Sequence, residues 1–103
     1  MFIHSVYFTL RADLTAAEQD RFLAGVRSLT TIGSVGGASL GRPAGTDRPV
    51  IDRDYSYGLV LTFADAAAHD AYQVDPVHDT FRQDCAPLWS AVRIFDLDTD
   101  LPG

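Results

Sequence analysis

The fold is decided by the stretch from Tyr55 to Phe81, which reads YSYGLVLTFADAAAHDAYQVDPVHDTF. Its first nine residues alternate between large and small side chains, as expected for a strand with one buried face. Asp65 stands where the N-cap of a helix reading AAAHDAYQ should lie. Asp75 is the expected N-cap of a second helix, with Pro76 at its first position, where the missing N–H costs nothing. The stretch therefore predicts a strand followed by two helices that meet at an Asp-Pro corner.

The N-terminal flank supplies a strand and a helix. Residues 2–10 alternate and predict a first strand, whose bulkier face carries a histidine. Thr15 and Glu18 have the spacing of a capping box, so a helix is expected to begin at Ala16. Gly33 is expected to close that helix in a left-handed conformation.

Two weaker strands complete the pattern. Residues 35–42 are rich in glycine and predict a second strand, which a polar loop over residues 41–54 connects to the third. Pro87 is expected to break the last helix near Ala86, because proline lacks the N–H that a helix interior needs. Residues 92–98 predict a final strand.

This order of elements predicts a single domain over residues 1–103 of the α+β class. A β-α-β-β-α-β chain builds a ferredoxin-like fold, in which helices cover one face of an antiparallel four-stranded sheet. The opposite face is not fully polar, because Ile3, Tyr7 and Val60 point towards it. We therefore expect a second copy of the chain to cover that face, giving a homodimer that pairs as an α/β barrel.

Composition excludes several classes of partner. The net charge is −6, and the eight basic residues, all arginine, are scattered, so nucleic acid and anionic membrane surfaces are poor partners. No run of residues is apolar enough to span a membrane, and the N-terminus does not resemble a signal peptide. Cys85 is the only cysteine, which excludes an internal disulfide and favours a cytoplasmic location.

Three polar side chains are candidates for a small-molecule site. His78 should lie at the third position of its helix, where the positive helix end keeps the imidazole neutral. A neutral imidazole can take a proton from a carbon acid and return it. Tyr72, across the Asp-Pro corner, could donate a hydrogen bond to a carbonyl or enolate oxygen. His4, on the first strand, is expected to point into the same apolar space as a substrate-binding group.

Each of these residues also has a purely structural interpretation. His78 could cap its helix, Tyr72 could be a half-buried aromatic with its hydroxyl in water, and His4 could be a core histidine bonded to backbone. The spacing of the residues alone does not decide between the two interpretations.

No metal or cofactor is expected from the sequence. The three histidines lack the spacing of a metal motif, and His69, beside Asp70, is expected to face solvent. Asp96, Asp98 and Asp100 are interpreted as a solvated acidic end.

The chain resembles the stress-responsive A/B barrel domain (Dabb) family over nearly its whole length. The resemblance rests on IHSVYFTLRADLTAAEQDRF, on the middle stretch quoted above with its tyrosine and P-x-H pair, and on VRIFDLD. It implies a ferredoxin-like fold and a homodimeric barrel. Polyketide cyclases of the olivetolic acid type in that family close a linear poly-β-ketone by an intramolecular aldol reaction without a cofactor. Their catalytic tyrosine and histidine fall on Tyr72 and His78, and a pocket histidine falls on His4.

Two functions remain open from the sequence. The first is a homodimer that binds a small apolar carbonyl compound, with His78 as general base and acid and Tyr72 polarising the oxygen. The alternative is a non-catalytic stress-responsive structural or assembly protein. A further histidine of the cyclases, which precedes the P-x-H pair, is Asp75 here, so the resemblance does not select a substrate.

Overall fold

The computed structural model describes residues 1–102. Within them the chain forms β1 (Phe2–Leu10), α1 (Ala16–Leu29), β2 (Gly37–Gly41), β3 (Tyr57–Phe63), α2 (Ala66–Gln73), α3 (Pro76–Cys85) and β4 (Trp89–Asp98). A 3-10 turn over Ala86–Leu88 joins α3 to β4, as expected from the break at Pro87. This order confirms the ferredoxin-like α+β class predicted from the sequence.

The four strands form one antiparallel sheet in the order β2-β3-β1-β4. The central strand β1 places His4 opposite Leu61 of β3 on one side. On the other side it places His4 opposite Asp96 of β4. Residues paired in this way point to the same face of the sheet, so the ladder fixes His4 and Asp96 as neighbours.

The helix starts follow the capping pattern of the sequence. Thr15 and Glu18 form the expected reciprocal capping box at α1. Asp65 accepts a hydrogen bond from the Ala68 N–H at 2.9 Å. Asp75 accepts one from the Val77 N–H at 2.8 Å. These caps fix where α2 and α3 begin, and with them the positions of the side chains at the Asp-Pro corner.

The expected glycine cap of α1 is wrong. The helix ends at Leu29, and Thr30 is its C-cap. Both the backbone N–H and the hydroxyl of Thr30 donate to the Arg27 carbonyl, at 3.1 and 2.7 Å. These two bonds satisfy the free carbonyl at the helix end, so Gly33 is left in the turn that follows.

The hydrophobic core lies between the helices and one face of the sheet. It is built from aromatic and aliphatic side chains of every layer: Val6, Phe8, Phe22, Val26, Leu29, Ile32, Leu59, Leu61, Phe63, Tyr72, Phe81, Cys85 and Leu88. Helix α1 packs on α3. Phe22 of α1 and Phe81 of α3 both pack on Phe8 of β1, with ring centroids 5.1 and 6.0 Å from it. None of the helices in residues 1–102 has the length and apolar character that a membrane span requires.

The opposite face of the sheet carries apolar side chains that no helix of residues 1–102 covers. The register pairs Ile3 with Leu97 and Tyr7 with Arg93, so these residues share that face with Phe95. The side chains of Phe95 and Leu97 are 58% and 57% exposed. We call this surface, made of Ile3, Tyr7, Phe95 and Leu97, the open sheet face.

Candidate functional site

A cavity of about 290 Å³ lies between the sheet and the Asp-Pro corner. Val92 and Ile94 of β4, which are 38% and 52% exposed, line one side of it, so the cavity opens along β4. The volume is at the lower end of the range typical of ligand pockets, roughly 300–1,000 Å³. Its wall is mostly apolar, and its complete lining is His4, Val6, Phe8, Leu29, Leu59, Tyr72, Gln73, His78, Phe81, Arg82, Trp89, Val92 and Ile94.

Tyr72 reaches the cavity from the last turn of α2. Its side chain is buried, with only 1% of the residue exposed, and it belongs to the core. Burial strongly raises the pKa of the phenol, because the ionised form would lose its hydration. The hydroxyl is therefore protonated at neutral pH and can donate a hydrogen bond. This burial does not fit the interpretation of Tyr72 as a half-buried aromatic.

His78 faces Tyr72 across the Asp-Pro corner. The two ring centroids are 4.9 Å apart, and the planes are nearly perpendicular at 76°. His78 lies at the third position of α3, as the sequence predicts. Its pKa is lowered, first by burial and then by the positive charge of Arg82. The ring is therefore neutral at physiological pH, although burial is the leading cause and not the helix start.

One nitrogen of His78 has no partner. Nδ1 is buried and forms no hydrogen bond with any group of residues 1–102. An unpaired buried polar atom costs about 1–3 kcal/mol, so such atoms are uncommon in stable cores. When Nε2 is the free acceptor, the single proton of the neutral ring lies on Nδ1, which has no partner among residues 1–102. Nε2 is the nitrogen left to interact with a molecule in the cavity.

His4 is buried, with 5% of the residue exposed, and bonds a carboxylate instead of backbone. Its Nδ1 lies 2.5 Å from Oδ1 of Asp96, its register partner on β4. Asp96, interpreted from the sequence as part of a solvated acidic end, is 42% exposed but lies within β4, where it bonds a buried ring. Its ring centroid is 5.8 Å from that of Tyr72.

The predicted exposure of His69 is wrong. The sequence predicts that this residue faces solvent, but only 5% of it is exposed. Its ring stacks on Phe2 at 4.2 Å and lies 4.8 Å from the ring of His4. Burial, followed by the nearby His4, lowers its pKa. The first three residues of α2 are alanines. Because no large apolar residue marks the buried face of this part of the helix, the sequence does not predict which way His69 points.

Arg82 was also missed as a residue of the site. It follows His78 by four residues on α3, which puts both side chains on one face of the helix. It lines the cavity and forms no ion pair with any other group in the described part of the chain. An unpaired guanidinium on the wall favours a ligand that is anionic or develops negative charge.

Together the cavity offers a neutral imidazole, a protonated phenol and a nearby positive charge. These are the groups needed to remove a proton next to a carbonyl and to hold the resulting negative oxygen. The structure thus brings His4, Tyr72 and His78 to one space, and adds Arg82 from the same wall.

Comparison with known families gives one match. The model of the Dabb family, the stress responsive A/B barrel domain, matches residues 2–99. No curated protein matches the chain significantly.

Solved structures share the fold over nearly the whole chain. A Dabb family protein with a ferredoxin-like fold from Mesorhizobium loti has 30% identity and a TM-score of 0.76, with 94% of each chain covered. A dimeric ferredoxin-like protein of unknown function from Jannaschia has 23% identity and a TM-score of 0.75, covering 95% of this chain and 98% of its own. Hydroxynitrile lyase from Passiflora edulis has 17% identity and a TM-score of 0.77, covering 98% and 96%. At these identities the last two show the fold alone.

Proposed function

Because the chain belongs to the family of stress-responsive A/B barrel domains, we propose that its cavity binds a small apolar carbonyl compound and catalyses enolisation there without a cofactor. Aldol closure of a polyketide-like chain is the form of this reaction that the family resemblance suggests. The main support is that the Tyr72–His78 pair lies on an apolar cavity, with His78 Nδ1 buried and unpaired within residues 1–102.

The reaction begins with proton transfer to His78. Its Nε2 takes a proton from the carbon next to the carbonyl group of the ligand, and the electron pair of that C–H bond moves to the carbonyl oxygen as an enolate. The hydroxyl of Tyr72 donates a hydrogen bond to this oxygen, and the charge of Arg82 stabilises it at longer range. The low dielectric around the buried Tyr72 strengthens its hydrogen bond, whereas Arg82 is exposed and acts through solvent.

The second half of the reaction returns the proton. In an aldol closure the enolate carbon attacks a second carbonyl carbon of the same molecule, which forms a C–C bond and an alkoxide. The imidazolium of His78 then gives its proton to the alkoxide, which restores the neutral ring. His4, held by Asp96, lies beside Tyr72 and orients the ligand or the phenol.

We further propose that the chain forms a homodimer through the open sheet face. Exposed apolar side chains on one face of a sheet lose unfavourable contact with water when a second sheet packs there. The relative from Jannaschia is described as dimeric, which supports the same arrangement here. The lone thiol of Cys85 is buried and free within the described residues, which supports the proposal of a cytoplasmic location.

The proposal is tested by following deuterium exchange at the α-carbon of phenylacetone, a small apolar ketone, by proton NMR in D₂O. The wild-type protein is expected to exceed the buffer rate. His78→Gln should lower the protein-dependent rate by about 10²–10⁴, the usual contribution of a general base. Tyr72→Phe should lower it by about 10²–10³, the usual effect of removing one donor to an oxyanion.

The matched control is Tyr55→Phe, because Tyr55 packs on Tyr7 and does not line the cavity. It should leave the exchange rate unchanged. A wild-type rate equal to that of buffer, together with loss of thermal stability in both the His78 and Tyr72 variants, would instead support the non-catalytic structural role.

A further inference from the structure

Three potential metal ligands from three different elements meet beside the cavity. His4 comes from β1, Asp96 from β4 and His69 from α2, and one ligand atom of each lies within 4.8 Å of the others. His69 and Asp96 do not line the cavity described above. We propose that these three residues form a binding site for one divalent transition-metal ion of the Zn²⁺ type.

The ligand set selects the class of metal. Two imidazoles and one carboxylate suit Zn²⁺, Co²⁺ and related ions, whereas Mg²⁺ and Ca²⁺ prefer oxygen ligands alone. Three protein ligands leave one position of a tetrahedral ion open for water or another small ligand. The set therefore resembles an open site more than a closed structural one.

The two histidines are ordered before any ion arrives. His4 is fixed by the β1–β4 ladder and by its contact with Asp96. His69 is held by stacking on Phe2 and by the side-chain amide of Gln73, 3.0 Å from its Nε2. Both rings are 95% buried, so little side-chain entropy remains to be lost on binding.

Asp96 is the ligand that can adjust. Its side chain is 42% exposed, so it can turn and also provides the ion with a route from solvent. Ligand atoms around a tetrahedral Zn²⁺ lie roughly 3.3 Å apart, given bonds of about 2.0–2.1 Å. The 2.5 Å contact between His4 Nδ1 and Asp96 Oδ1 therefore opens by somewhat less than 1 Å as the ion replaces the shared proton. Separations of up to 4.8 Å within the set close by about 1.5 Å when the ion binds.

The experiment is a titration of the full chain, stripped of metal with EDTA, with Co²⁺ followed by visible absorption and then with Zn²⁺ by competition. One Co²⁺ per chain with the absorption of a four-coordinate ion is expected. His69→Gln and Asp96→Asn should each weaken Zn²⁺ binding by about 100-fold or more, since loss of a direct ligand should exceed the 10–100-fold effect of an outer partner.

His78→Gln is the matched control, because it removes the third histidine of the chain but none of the three ligands. It should leave Zn²⁺ affinity unchanged. The site is rejected if Co²⁺ binds without a defined stoichiometry, or if His78→Gln weakens binding as much as His69→Gln. Circular dichroism confirms that each variant is folded, and Asp96→Asn decides the question if His69→Gln does not fold.

The metal site shares His4 with the cavity but is otherwise built from residues outside the cavity wall. His69→Gln removes a metal ligand but no residue of the cavity wall. Loss of Zn²⁺ binding in this variant with ketone exchange retained would show that the two proposals are independent. Wild-type protein that binds Zn²⁺ but does not exchange the ketone would support the metal site alone, and exchange without Zn²⁺ binding would support the cavity chemistry alone.

Discussion

Tyr72 and His78 respond in opposite ways to the same burial. Desolvation raises the pKa of the phenol and lowers the pKa of the imidazole, because in each case the charged form is disfavoured. Both groups are consequently neutral over the same range of pH. One is then a hydrogen-bond donor and the other a proton acceptor, which is the division of roles that enolisation requires.

The lowered pKa of His78 predicts how stability depends on pH. The folded-state pKa lies below the unfolded value of 6.5, so the unfolded chain binds the proton more readily. The contribution of His78 to stability is therefore complete above about pH 6.5 and is lost as the pH falls through the folded pKa. The groups that influence this titration are Arg82, His4 and His69, which lower the pKa, and Asp79, which raises it.

This dependence can be measured by urea unfolding between pH 7.5 and pH 5 in the presence of EDTA. The wild-type free energy of unfolding should fall more steeply than that of His78→Gln, by at most about 1.4 kcal/mol per pH unit for one proton. Equal slopes in the two proteins would show that His78 is not desolvated in the folded state.

At the residue scale the sequence predicts only part of the site. Tyr72 and His78 stand six apart around an Asp-Pro corner, and the N-cap and the proline define their placement locally. The pairing of His4 with Asp96 depends on the register of two strands that lie 92 residues apart along the chain. The burial of His69 depends on the rotation of a short helix with few large apolar residues. Local patterns contain neither piece of information.

At the scale of elements, the capping residues and the alternating patterns are sufficient to predict the order of the helices and strands and most of their bounds. Capping side chains at Thr15, Asp65 and Asp75 start the three helices as expected. Strand β4 is the least predictable element, because it begins at Trp89, three residues before the expected start. Its alternation is also obscured, since it is an edge strand with apolar side chains on both faces.

The proposed homodimer depends on the exposed apolar residues of β4. Phe95→Asp places a charge in the middle of the open sheet face, where a packed partner sheet would bury it at high cost. Size-exclusion chromatography with light scattering should show a wild-type dimer and a folded monomeric variant. Val74→Asp is the control, because Val74 is 76% exposed at the end of α2, away from that face, and it should remain dimeric. A wild-type monomer would contradict the proposed pairing.

At the scale of the whole molecule, the cavity exists because no single element fills the space at the corner. β1 and β3 form its floor, and β1 also supplies His4. The other polar side chains come from α2 and α3, and the exposed edge strand β4 leaves one side open. The ferredoxin-like class followed from the order of elements, whereas the volume and opening of the cavity depend on how those elements pack. That is why the class and the order of elements could be predicted from the sequence, apart from the end of α1 and the start of β4, and the site only as a set of candidate residues.

The most direct test of the central claim is a titration of ¹⁵N-labelled protein with phenylacetone, followed by NMR of the histidine side chains. If the cavity is the binding site, Nε2 of His78 should shift saturably with one ketone per chain, and Tyr72→Phe should weaken the effect. The ring of His69, which does not line the cavity, should shift little. Absence of a shift at His78, or equal shifts at His78 and His69, would contradict the account.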